Sequence, residues 1–165
     1  MSVHIGAIAP DFTQESTQGP IHFHDWIGKE WVILFSHPKD FTPVCTTELG
    51  AVSKLKPEFE KRNIKAIGVS VDPLDSHKKW IADIEDTQGV KMNFPILADA
   101  DKKVADAFGV LQEKNMYGKK VMGIVRTTFV IGPDGKVQHI FPKVKAEGHA
   151  GEVLAYLKES AKGAA

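Results

Sequence analysis

Cysteine is nearly absent from this sequence: of 165 residues, Cys45 alone carries a thiol. No disulfide can close within the chain, so the sulfur is either a small apolar side chain or a reactive group. Arginine is almost as scarce, with Arg62 and Arg126 the only two among 21 basic residues. Neither sign of charge dominates, since Lys plus Arg and Asp plus Glu both number 21. Nothing therefore calls for nucleic acid or a membrane surface as partner. No apolar run approaches membrane-spanning length. The first six residues show neither a basic region nor a long apolar stretch, and no signal peptide is expected. One cysteine without an export signal points to a reducing, cytoplasmic setting. Repeats, low-complexity tracts and linkers are missing as well. Residues 1–165 read as one domain, 42% hydrophobic and 25% charged, long enough to bury a core.

What is present alternates between two periodicities. Residues 21–24 alternate and predict a short strand, and 31–36 form a continuous apolar run expected of a strand covered on both faces. Thr42 then offers a capping oxygen and Pro43 a pre-set dihedral, so a helix starts there with Cys45 as its third residue. Leu49, Val52, Leu55 and Phe59 continue its stripe, with a break near Pro57. Strands follow at 64–71, 94–97, 124–131 and 137–141, the last two joined by a turn at 133–136. Helices are predicted at 74–86, 101–108 and 148–160. The class is α/β, and the order is that of a thioredoxin-like fold: a central mixed β-sheet flanked by helices.

A helix N-terminus favours negative charge, and hence a thiolate over a thiol. Such a sulfur can attack a peroxide, and fixed donors aimed at the departing oxygen lower that barrier. Thr42, three residues before Cys45, is placed to donate to substrate while capping the helix. Pro38 and Pro43 stiffen the loop and can shield the sulfur from water. Arg126 interrupts an apolar strand, where a charge is expensive without a partner, whereas Arg62 lies among polar residues at a helix end and reads as solvent-facing. Plainer readings exist for each. Cys45 could be a buried apolar residue, Thr42 only a cap, Arg126 half of a structural ion pair, Glu48 an ordinary first-turn carboxylate and His37 a loop residue. His22 and His24 share one strand face, but no third ligand is in view, so neither a metal nor an organic cofactor is expected.

The spacing Pro38-x-x-x-Thr42-x-x-Cys45, with Arg126 on a later strand, resembles the signature of the peroxiredoxins, the cysteine-based peroxidases. The likeness comes in two styles. As far as about Asp99 the chain is similar to one-cysteine peroxiredoxins, through Phe35-Ser36-His37-Pro38 and Asp40-Phe41-Thr42-Pro43-Val44-Cys45-Thr46-Thr47-Glu48. From about Val104 it is similar to the bacterioferritin-comigratory (PrxQ) group, through Gly123-Ile124-Val125-Arg126-Thr127-Thr128-Phe129 and the stretch ending Glu147-Gly148-His149-Ala150. The resemblance implies that Cys45 is the peroxidatic cysteine, that Thr42 and Arg126 position the peroxide, and that Pro38 shields the site. Glu48 and His37 would support it. PrxQ-type enzymes often carry a resolving cysteine five residues after the first, where this chain has Gly50. Some one-cysteine members are credited with phospholipase activity at a Gly-x-Ser-x-Gly site; the matching stretch from Gly28 to Val32 has no serine, and that activity is not expected.

The reaction expected is therefore reduction of hydrogen peroxide or an alkyl hydroperoxide by Cys45, which becomes a sulfenic acid. An external reductant must restore it: a small thiol, ascorbate or a thioredoxin-like protein, with an intermolecular Cys45–Cys45 disulfide as a further route. Monomer and homodimer are both compatible with the sequence. Two rivals remain open at this level. One is a redox-sensing or holdase binding module indifferent to Arg126; the other is a structural domain with a buried, inert sulfur.

Overall fold

A computed structural model describes residues 3–37, 41, 43–92, 94–142 and 149–160. In chain order the elements are β1 (Thr13–Gln14), β2 (Ile21–His22), α1 (Phe23–Ile27), β3 (Trp31–Ser36), α2 (Pro43–Lys54), α3 (Lys56–Lys61), β4 (Ile64–Ser70), α4 (Leu74–Gln88) and β5 (Ile96–Ala98). Then come α5 (Lys103–Ala107), β6 (Leu111–Met116), β7 (Lys119–Ile124), β8 (Thr127–Ile131), β9 (Val137–Phe141) and α6 (His149–Ser160). The central sheet runs β5-β4-β3-β8-β9, with β3 parallel to β4 and antiparallel to β8. This is the expected mixed sheet of a thioredoxin-like fold.

β3 sits at the centre of that sheet, and its run of buried residues follows from the position. Side chains alternate across a strand, so Ile33 and Phe35 enter one apolar layer with Leu49 of α2, Trp80 of α4 and Val153 of α6. Val32 and Leu34 enter the other with Phe23 of α1, Val104 of α5 and Phe129 of β8. Both layers are dry at the strand, all four β3 side chains being fully buried.

Four expectations are corrected. The strand predicted at 21–24 stops at His22, and a helical turn begins at Phe23. Asp11 causes the change: its carboxylate accepts the His24 backbone N–H at 2.9 Å, and Phe23 and Ile27, one turn apart, are both buried. His22 and His24 thus do not share a strand face. His22 faces Asp11 and Asp25, and His24 bonds the Ala9 carbonyl. The strand predicted at 124–131 is really two, broken at Val125 and Arg126. Its first part belongs to a β6–β7 hairpin that the sequence reading did not anticipate. The hairpin turns at Tyr117 and Gly118, both with positive φ (53° and 79°), the geometry of a two-residue mirror-image turn. Finally, Arg62 is half-buried with its Nε inside, rather than wholly facing solvent.

Elsewhere differences are small. α2 gives way to α3 at Leu55, just before Pro57. β4 ends at Ser70, and β5 is displaced to 96–98. α5 is trimmed to Lys103–Ala107, where Asp99 accepts the N–H groups of Val104 and Ala105.

Candidate active site

Strand β3 ends at Ser36, and α2 starts seven residues beyond it with Cys45 in its first turn. The sulfur is fully buried. Burial alone would suit an inert thiol. The decisive contact comes from the neighbouring strand: Arg126, in the two-residue break between β7 and β8, donates from Nη2 to the Cys45 sulfur at 2.9 Å. Its Nη1 donates to Glu48, one helical turn after Cys45. Residues three apart on a helix share a face, so Cys45 and Glu48 present sulfur and carboxylate side by side to a single guanidinium.

The ion pair is largely dry: the Arg126 side chain is 12% exposed and that of Glu48 1%. Burial pushes the Glu48 carboxyl above its ordinary range, with the Arg126 charge and hydrogen bond pulling the other way. Burial also opposes the Arg126 charge, yet Glu48 and the sulfur outweigh it and its pKa is raised. Arg126 therefore remains a cation beside the thiol, and Glu48 balances that charge within the fold.

Several neighbours hold this pair in place. The Trp80 indole donates to the Thr46 hydroxyl at 2.9 Å, tying α4 to the residue next to Cys45. His37 is buried just after β3; its N–H donates to the Val69 carbonyl at 3.0 Å, and its ring lies 4.8 Å from that of Trp80. At the far side, His149 of α6 meets the Thr128 hydroxyl at 2.7 Å and Glu152 at 3.2 Å. Burial holds its pKa below the ordinary 6.5; Glu152 counters this in part, and the Arg126 charge adds to the drop. That favours a neutral ring whose Nδ1–H donates to Glu152 while Nε2 accepts from Thr128.

The likeness to known proteins runs along most of the chain. Residues 5–140 match the AhpC/TSA family. Peroxiredoxin Q of Xanthomonas campestris superposes with a TM-score of 0.84 at 39% identity, covering 96% of this chain and 97% of that one. The chain belongs to the AhpC/TSA family, among its peroxiredoxins. A 1-Cys peroxiredoxin of Dictyostelium discoideum is 48% identical over 138 residues, which is 82% of this chain and 55% of that protein. A yeast mitochondrial 1-Cys peroxiredoxin, described with a thiol-resolving mechanism via glutathione and thioredoxin systems, has a TM-score of 0.83 at 40% identity. It covers 94% of this chain and 75% of its own. The chain spans less than two thirds of the length of the curated relatives it matches. Both styles read from the sequence are thus represented among its relatives.

In this peroxiredoxin, then, three of the six expected site residues meet: Cys45, Glu48 and Arg126. His37 lies behind them against Trp80. Thr42 and Pro38 fall outside the described residues. Gly50, where a resolving cysteine often stands, packs against α4 so closely that an added Cβ would lie 2.7 Å from Cγ of Gln88. Sequence reasoning passed over Thr46, Trp80, Thr128, His149 and Ser36. Ser36 was the one with a visible signal, a hydroxyl ending an apolar run that the fold buries completely.

Proposed function

We propose that this protein is a thiol-dependent peroxidase working through Cys45 alone. The observation that carries the reading is the guanidinium of Arg126 at 2.9 Å from the Cys45 sulfur, itself anchored by Glu48. The Cys45 thiolate attacks the distal oxygen of hydrogen peroxide or an alkyl hydroperoxide. The sulfur's electron pair forms the new S–O bond as the O–O bond breaks, and the O–O bonding pair ends on the leaving oxygen, which departs as water or alcohol after taking up a proton. Arg126 is charged throughout and can shift its Nη2 hydrogen bond from the sulfur to the oxygens as charge moves there. Thr42 is proposed as the second donor and Pro38 as the shield, with Glu48 and His37 supporting.

The product is a sulfenic acid. With Gly50 where a resolving cysteine would be, reduction falls to an outside thiol. A first thiol condenses with the sulfenic acid, releasing water and leaving a mixed disulfide; a second thiol frees Cys45. A small thiol or a thioredoxin-like protein fits that sequence, and a reducing compartment such as the cytoplasm supplies either. The binding-module reading expects a sulfur indifferent to Arg126, and the inert-sulfur reading expects no charged donor aimed at it; the contact counts against both.

The test is stopped-flow consumption of hydrogen peroxide by the wild type and by Cys45→Ser, with sulfenate trapping and mass spectrometry. A second-order reaction that labels Cys45 and vanishes in the serine variant is expected. Undiminished turnover by Cys45→Ser would end the proposal.

A further inference from the structure

Arg126 lies in a break between two strands, so strand pairing does not by itself set its backbone. The ladder between β3 and β8 ends at the pair Ser36 and Thr127. Val125, on the other side of Arg126, sends its N–H to the Val110 carbonyl at 2.8 Å, outside the central sheet. The polar groups between these two points are met by two hydroxyls, and that of Thr127 donates to the Val125 carbonyl at 3.0 Å. The Ser36 hydroxyl accepts the Thr127 N–H at 3.0 Å, donates to the Thr127 carbonyl at 2.8 Å, and lies 3.3 Å from the Val125 carbonyl. The Thr127 N–H belongs to the peptide that follows Arg126, and the Val125 carbonyl to the peptide that precedes it. Those two planes define φ and ψ of Arg126, and with them the direction in which its side chain leaves the backbone.

Resting on the peroxidase reading, we propose that Ser36 is a positioning residue for the reaction. Its hydroxyl accepts the N–H of the peptide that follows Arg126 and donates its one proton to the Thr127 carbonyl, and so fixes the guanidinium against Cys45 and the incoming hydroperoxide. A buried hydroxyl has to be hydrogen-bonded, and Ser36, wholly buried at the end of an otherwise apolar strand, makes its hydrogen bonds to this segment. The guanidinium stands at the far end of a long side chain, so a small rotation of either peptide displaces it. A shift of about 1 Å in a positioning group can cost roughly 10²-fold in rate.

The experiment is a double-mutant cycle on the second-order rate constant for hydrogen peroxide, read by stopped flow on the full chain, with thermal unfolding of each variant alongside. Ser36→Ala is expected to slow the reaction by about 10-fold or more. Ser36→Thr, which keeps the hydroxyl, should stay within about 3-fold of wild type. In an Arg126→Ala background, Ser36→Ala should change the rate by less than about 2-fold, because the group it positions is gone. Wild-type rates in Ser36→Ala, or the same loss with and without Arg126, would overturn the positioning role while leaving the peroxidase reading intact. An Arg126→Ala chain as fast as wild type would leave Ser36 no group to position and would also overturn the proposal, whereas undiminished turnover by Cys45→Ser would overturn the peroxidase reading itself. Ser36→Gly stands in if Ser36→Ala does not fold; if neither folds, the hydroxyl serves the fold and the proposal fails.

Discussion

A guanidinium carries several N–H donors in one plane, and Arg126 turns Nη1 to Glu48 and Nη2 to Cys45. An ammonium is a compact point charge without that fork, so it cannot serve a carboxylate and a sulfur with the same geometry. Arg126→Ala is expected to lower the second-order rate constant for hydrogen peroxide by about 10²–10³-fold, the scale of losing one donor to a developing oxyanion. Arg126→Lys should recover only part of it. Stopped-flow traces at fixed pH check both, and equal rates for arginine and lysine would show that charge alone suffices. The sequence made Arg126 conspicuous because a cation among Ile124, Val125, Phe129 and Val130 demands a partner. It could not name Glu48 as that partner with the same force, since a carboxylate early in a helix is commonplace. Ser36 shows itself only as a hydroxyl closing an apolar run, and nothing in a serine following Phe35 says which backbone it will meet.

Helix contacts decide how firmly the site is held. α2 and α4 touch at Gly50, where a Cβ would lie 2.7 Å from Cγ and 3.0 Å from Cβ of Gln88. Alanine normally gains about 1 kcal/mol over glycine in a helix, but here it overpacks the interface. Gly50→Ala is expected to destabilise the protein by about 1 kcal/mol, and Gln88→Ala to recover most of that loss, in urea unfolding of the two single variants and the double. α6 is joined to β8 through His149 and Thr128. Because burial holds the native His149 pKa below 6.5, the unfolded chain binds more protons as pH falls past that value. Stability is therefore expected to decline below about pH 6.5, and the decline should weaken in His149→Gln, which cannot be protonated. Urea midpoints from pH 8 to pH 5 measure it; parallel curves for the two proteins would assign the acid limb to other groups. Elements with a strong pattern, such as β3 and the amphipathic α4 and α6, were legible in the sequence. The β6–β7 hairpin was not, because its lysine-rich strands lie outside the central sheet and show little apolar alternation, and the break at Val125 and Arg126 was hidden by apolar residues on both sides.

Across the whole molecule the sheet is covered on both faces, and β3 divides its side chains between the two layers. Ile33→Ala and Leu34→Ala, adjacent substitutions pointing in opposite directions, should each cost about 2–5 kcal/mol in denaturant unfolding. A sheet with one wet face would forgive one of them. That both faces are dry was already implied by the unbroken apolar run from Trp31 to Phe35, just as the lone cysteine ruled out an internal disulfide and the proline and threonine before it marked a helix start. These are local or compositional properties, so the chain alone determines them. Which cation meets the sulfur, which carboxylate balances that cation and which hydroxyl steadies it depend on residues separated by 78 to 91 positions. Only the sheet's strand order brings them together, because placing β8 beside β3 is what carries Arg126 across to α2.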